Sequence, residues 1–193
     1  MTVELAEIAR YMRMGRALPE GPLAARVLEL RAEGLAAVRP ARVWRRFDTA
    51  GGTIGADDLQ IKIQGKLARH LECCGAAYLV CGTIGPQFDA LLRRVSVNSA
   101  ADALIVQAIG AALIEKYMDS TEDEIRRELA PGESLVQRYS PGYGDFPLAA
   151  QRELLALLDA PRTAGVSLTD TLLMVPSKSV SAVIGVKKGE EPK

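Results

Sequence analysis

Arg138-Tyr139-Ser140-Pro141-Gly142-Tyr143 is the segment whose residue types and spacing best suit ligand chemistry. A planar guanidinium pairs with a carboxylate through two parallel N–H donors, a geometry that lysine reproduces poorly. Pro141 fixes its own φ and pushes Ser140 out of the helical region, which aims main-chain groups in a set direction. Gly142 lets a bound molecule approach the backbone closely. Tyr143 adds a flat apolar body with a hydroxyl at its tip. The opposing reading is a surface turn in which Arg138 is solvated and Tyr143 merely packs, and the segment by itself leaves both open.

Other groups carry weaker signals. Gly82-Thr83-Ile84-Gly85 is a glycine turn that can expose backbone N–H groups to an anion, but it lacks the G-x-G-x-x-G and phosphate-loop spacings, so a structural turn is the plainer reading. Ser177, Ser179 and Ser181 suit turn and strand bonding, with a surface role as the alternative. His70 is the sole histidine, and without further ligands nearby in the sequence it reads as a surface or helix-end residue. Cys73, Cys74 and Cys81 form an odd set without paired C-x-x-C spacing. That argues against a disulfide framework or a zinc site and fits a reducing cytoplasm.

Composition narrows the function classes. The 193 residues hold 24 basic and 24 acidic side chains, so the chain has no overall basic excess with which to neutralise nucleic-acid phosphates. Apolar residues make up 48%, enough for a core that can enclose a ligand cleft. Glu4 and Glu7 interrupt the first apolar residues where a signal peptide would be basic and then apolar, and no apolar run is long enough to span a bilayer.

The elements that must position the loop follow from periodicity. Leu5, Ile8, Ala9 and Met12 predict a helix stopping at Gly15, and Leu23, Val27, Leu30 and Leu35 predict a second, to Val38. Arg42–Phe47 reads as a strand, Leu59–Leu71 as extended and then helical with Gly75 as its stop, and Ala76–Cys81 as a buried strand. Pro86 opens a helix through Phe88, Leu91, Leu92 and Val95, and a central apolar helix spans Ser99–Met118. Ser120-Thr121 followed by acidic residues predicts a fresh capped helix ending near Leu129. Residues 136–147 are a structured loop, Leu148–Leu158 a helix closed by Pro161, and 167–186 two strands joined by Pro176-Ser177-Lys178. The charged segment 187–193 reads as a frayed tail.

The Arg138 segment, the helix after it, and Leu168-Thr169-Asp170 with Met174-Val175-Pro176-Ser177-Lys178-Ser179-Val180-Ser181 together resemble the activation module of vitamin B12-dependent methionine synthase, whose ligand loop carries an Arg, three residues, then Gly-Tyr. The resemblance covers roughly residues 75–186. It implies a single α+β domain, a mainly antiparallel twisted sheet with flanking helices, in which residues 1–47 join a binding region at 48–186. It also implies that Arg138, Ser140, Pro141, Gly142 and Tyr143 bind S-adenosylmethionine. Counting back along the central helix, Glu115 falls at the family's acidic position, where a carboxylate would attract the ligand's positive groups, although a helix-end charge beside Lys116 is the simpler alternative. Thr83, Gly85, Ser177 and Ser179 would border the cleft or face a partner. The family's early acidic contact has no clear counterpart before Trp44.

By the same resemblance the chain would support reductive methylation of inactive cobalamin. The corrinoid signature Asp-x-His-x-x-Gly is absent, since Ala68 and Cys73 flank His70 at its outer positions. The cobalamin is therefore expected on a partner, such as a methionine synthase lacking its own activation domain, with a flavodoxin or ferredoxin-type reductant. The alternatives are an S-adenosylmethionine sensor or a corrinoid-protein docking module without methyl transfer. An ordinary methyltransferase fits less well, because no strand with a glycine-rich loop and an acidic strand end stands near the N-terminus.

Overall fold

The computed structural model describes residues 2–56 and 58–189. Two helices open the chain, α1 (Leu5–Tyr11) and α2 (Gly21–Ala37), and lead into β1 (Ala41–Asp48). A hairpin of β2 (Thr53–Ala56) and β3 (Leu59–Lys62) and a short helix α3 (Gly65–His70) precede β4 (Cys74–Thr83). Then come α4 (Pro86–Asn98), α5 (Ala100–Glu128) and β5 (Glu133–Leu135). The chain ends with α6 (Gln151–Leu157), α7 (Ala160–Thr163), β6 (Ser167–Leu168), β7 (Met174–Val175) and β8 (Ser179–Lys188).

The main sheet runs β1-β4-β8-β5, every pairing antiparallel. Strand alternation sends Ala76, Tyr78 and Val80 of β4 into one core and Ala77, Leu79 and Cys81 into the other. The first core is covered by helices, through Ile8 of α1, Leu30 of α2, Phe88 of α4 and Ile109 and Leu113 of α5. The second lies under the hairpin, α3, α6 and α7, with Ile54, Leu67, Leu154 and Ala160 fully or almost fully buried. β4 is buried on both faces, which is why its sequence is an unbroken apolar run. The result is an α+β domain with helices flanking an antiparallel sheet, and β1 and the first two helices share its helix-side core.

Several boundaries differ from the periodicity reading, each for a local reason. α5 is continuous for 29 residues: Ser99 caps it by accepting from Asp102 N–H, whereas the Ser120 and Thr121 hydroxyls donate back to Tyr117 O at 2.7 and 2.9 Å, so they start no new helix. Gly75 lies inside β4, and α1 stops at Tyr11, four residues before Gly15. Pro161 sits in the first turn of α7 instead of closing the helix before it. The two long C-terminal strands are also corrected. β7 is two residues long and pairs with β6, while β8 pairs with β4 and β5, because the turn between them is tied to the β4–α4 corner: Asp89 takes both Ser177 donors, and Lys178 O accepts from Ile84 N–H and Thr83 O–H. Lys187 and Lys188 complete β8 opposite Cys74 and Glu133, and residues 190–193 of the expected tail lie outside the described residues. No helix among the described residues is long and apolar enough to cross a membrane.

Candidate functional site

The placement of Arg138 depends on one extra residue. Leu135 pairs with Val186 and Tyr139 bridges Val183, so four steps on the loop strand answer three on β8. An unbroken register would set Arg138 against Val183 and turn it into the hairpin-side core. The bulge rotates it to the opposite face, over α5, and sends Tyr139 to the hairpin side instead. The loop beyond closes on itself: Tyr143 N–H donates to Ser140 O, Phe146 N–H to Tyr143 O and Gly142 N–H to Phe146 O. Gly142 holds φ 91°, where a Cβ would also sit 3.2 Å from Leu148 Cδ1, so glycine is required.

Once on the α5 face, Arg138 meets three carboxylates. Nη1 donates to Glu122 at 2.6 Å, and Nη2 to Asp119 at 2.9 Å and Glu115 at 3.0 Å. Their spacing of four and three residues places the acids on one stripe of the helix. Burial opposes the charge on Arg138, but the Asp119 hydrogen bond and the three negative charges outweigh it and hold the guanidinium above its usual range. Glu122 also pairs with Arg126 at 3.0 Å, so two cations stand against three anions; the cluster keeps net negative charge and suits a ligand bearing positive groups.

A groove of about 610 Å³ opens beside this cluster, walled by Glu115, Arg138, Ser140, Tyr143, His70 and Val180. On the far side of Glu115 and Asp119 a second groove of about 720 Å³ runs along α1 past Glu4, Glu7 and Tyr11. Burial and then the charge of Glu115 push the Tyr11 phenol up from its usual pKa. Glu4 and Glu7 thus share this second groove with Glu115 and Asp119.

Among the expected site residues, Arg138, Ser140, Tyr143 and Glu115 therefore meet at one groove. Tyr143 stands at its rim with 69% of its surface exposed, while Pro141 is buried beneath the loop and Gly142 shapes the turn; neither is among the wall residues. Thr83, Gly85, Ser177 and Ser179 are not wall residues either. Thr83 is buried and its hydroxyl accepts from Gly85 N–H; Gly85 holds φ 94° with Arg39 O where a Cβ would go; Ser179 donates to Pro176 O. Reading the residues in order missed Asp119 and Glu122, and gave His70 a surface or helix-end place, which it has as the last residue of α3, without its place at the groove. The acids could have been found from their helical spacing to Glu115 had α5 been read as unbroken. His70 reaches the groove only through tertiary contact, for which the sequence has no signal.

The sheet order and the helix layer define an α+β domain with the fold of the methionine synthase reactivation domain. A crystal structure of the MetH reactivation domain bound to AdoHcy matches with a TM-score of 0.65 over 99% of this chain and 76% of that one, at 15% identity. The chain belongs to the family of the vitamin B12 dependent methionine synthase activation domain, whose model matches residues 79–190. Comparison with curated proteins finds no match.

Proposed function

We propose that the chain binds S-adenosylmethionine and acts in trans on a corrinoid protein, supporting reductive methylation of inactive cobalamin. The observation that carries this reading is the meeting of Arg138, from the Arg-x-x-x-Gly-Tyr loop, with Glu115, from α5, at the wall of one groove. A zwitterionic sulfonium needs both signs of charge in one place. Arg138 exchanges an acidic partner for the ligand carboxylate, and the carboxylate it releases faces the ligand's ammonium or sulfonium. Ser140 and Tyr143 border the nucleoside from the loop side. Family membership, and the likeness to a reactivation domain holding AdoHcy, support the choice of ligand.

In the reaction, one electron from a flavodoxin or ferredoxin-type donor reduces the cobalt of the partner's corrinoid. The cobalt's electron pair takes the methyl group, the S–CH3 bond breaks, and S-adenosylhomocysteine leaves. This chain contributes proximity and orientation, holding the sulfonium with its methyl outward so that transfer is effectively unimolecular; no proton moves, so no general acid or base is needed. Incubating the chain with corrinoid proteins, including a methionine synthase without an activation domain, S-adenosylmethionine and reductant should yield methylcobalamin and S-adenosylhomocysteine in equal amounts. Failure with every corrinoid protein defeats the activator reading.

A further inference from the structure

The bulge that aims Arg138 leaves the Gln137 carbonyl outside the sheet ladder. Val136 N–H reaches Gly185 O, and Tyr139 exchanges both of its bonds with Val183, but Gln137 O meets no strand partner. On this exposed residue the carbonyl is open to a donor from elsewhere. His70 supplies it: Nε2 lies 2.6 Å from Gln137 O. Because a carbonyl only accepts, the proton must sit on Nε2. The same imidazole stacks on Tyr139, with ring centroids 5.0 Å apart and planes 30° from parallel. Tyr139 stacks in turn on Phe146 and donates to Tyr143 O. His70 therefore grips the residues immediately before and after Arg138.

The other end of α3 holds the far side of the loop. Lys66 N–H donates to both oxygens of Asp145, and the loop is thus pinned to one short helix at each end. α3 is itself anchored by Leu67, which is almost fully buried in the hairpin-side core.

We propose that His70 is a positioning residue: it locks the bulge at Gln137, and through it the direction in which Arg138 points. The inference rests on the reading of this groove as the S-adenosylmethionine site. It assigns His70 no contact with the reacting atoms.

The sole histidine makes the test direct, since every imidazole resonance of the full chain belongs to it. In the ligand-free protein labelled with 15N-histidine, at alkaline pH where imidazoles are neutral, the Nε2–H tautomer with a slowly exchanging Hε2 is expected; an Nδ1–H tautomer overturns the lock. Two variants then separate its parts. His70→Phe keeps a flat ring for Tyr139 but has no donor, and His70→Gln keeps a donor but has no ring. Calorimetric titration with S-adenosylmethionine should show roughly a three- to tenfold weaker Kd for His70→Phe, the size of one lost hydrogen bond, with partial recovery in His70→Gln. The Arg138 guanidinium resonances should shift in His70→Phe without ligand, and both variants should retain cooperative melting. Wild-type affinity in both, with unmoved Arg138 signals, overturns the inference while leaving the ligand assignment intact. No binding by the wild-type chain defeats the ligand assignment instead, and the tautomer and Arg138 shifts still decide the role of His70.

Discussion

Arg46 and Glu133 face each other across the main sheet, Nη1 donating to one carboxylate oxygen at 2.8 Å and Nη2 to the other at 2.6 Å, so the two edge strands β1 and β5 are tied by one bidentate pair. The Arg46 hydrogen bond, helped by Ala130 N–H, holds the Glu133 carboxyl down at about 2 from an ordinary 4.5. A carboxyl that is more acidic when folded stabilises the fold above its unfolded value and loses that contribution as the pH falls toward its folded value. Stability should therefore decline between pH 4.5 and about 2, and Glu133→Gln should flatten that part of the profile. Urea titrations followed by Trp44, the sole tryptophan, at stepped pH would read this directly; an unchanged slope in the variant refutes the tie.

Gly142→Ala is expected to loosen the ligand loop. The position holds φ 91°, and the added methyl would press on Leu148 Cδ1 at 3.2 Å. The left-handed backbone costs a residue with a side chain about 1–2 kcal/mol. Thermal melting should show a modest loss, and the weakening of S-adenosylmethionine affinity in calorimetry should exceed it in proportion, since the strain falls on the loop and not on either core. Affinity equal to wild type would show that the loop does not shape the site.

The three thiols should differ sharply in reactivity. Cys73 is exposed, whereas Cys81 is fully buried in β4 and burial pushes its thiol up to about 12; burial raises Cys74 as well. Since the thiolate is the reactive form, iodoacetamide in mildly alkaline buffer should label Cys73 first and reach Cys81 only in denaturant. Peptide mass mapping gives the order, and early labelling of Cys81 would contradict its place in the hairpin-side core.

What was legible in the sequence, and what was not, follows from the range of the interactions. Ala76–Cys81 could be read as a strand because burial on both faces leaves an unbroken apolar run, and the Arg138 loop because arginine, proline and glycine are each restricted locally. Ser120-Thr121 misled because the same hydroxyls that cap a helix from outside bond back to Tyr117 O from within it, and only the path of the chain decides between the two. The segment before Pro176 has strand composition, yet the turn is claimed by Asp89, 88 residues away from Ser177 in sequence. The bulge at 135–139 is a difference between two strand lengths, so it is invisible until Tyr139 is paired with Val183.

Arg138 gives the most direct test of the site. Its side chain is 17% exposed and holds together Glu115, Asp119 and Glu122, which without it would stand as like charges along one helix stripe with Arg126, at Glu122, as the remaining counter-charge. Arg138→Ala removes both the candidate carboxylate anchor and the counter-charge of Glu115 and Asp119, and should weaken S-adenosylmethionine binding by about 1–3 kcal/mol. Arg138→Lys restores a positive charge but not the fork that reaches Glu122 through one nitrogen and Asp119 and Glu115 through the other, so its affinity should fall between the two. The exchange of partners makes a further distinction. If the guanidinium leaves an acid for the ligand, ligand affinity in Glu122→Gln should hold or improve while that of Glu115→Gln falls, because the first releases Arg138, together with Arg126 on the far side of Glu122, and the second also removes the carboxylate meant for the ligand's positive groups. Calorimetry on the four variants beside wild type decides the matter: wild-type affinity in Arg138→Ala removes the anchor, and equal losses in both glutamate variants remove the exchange.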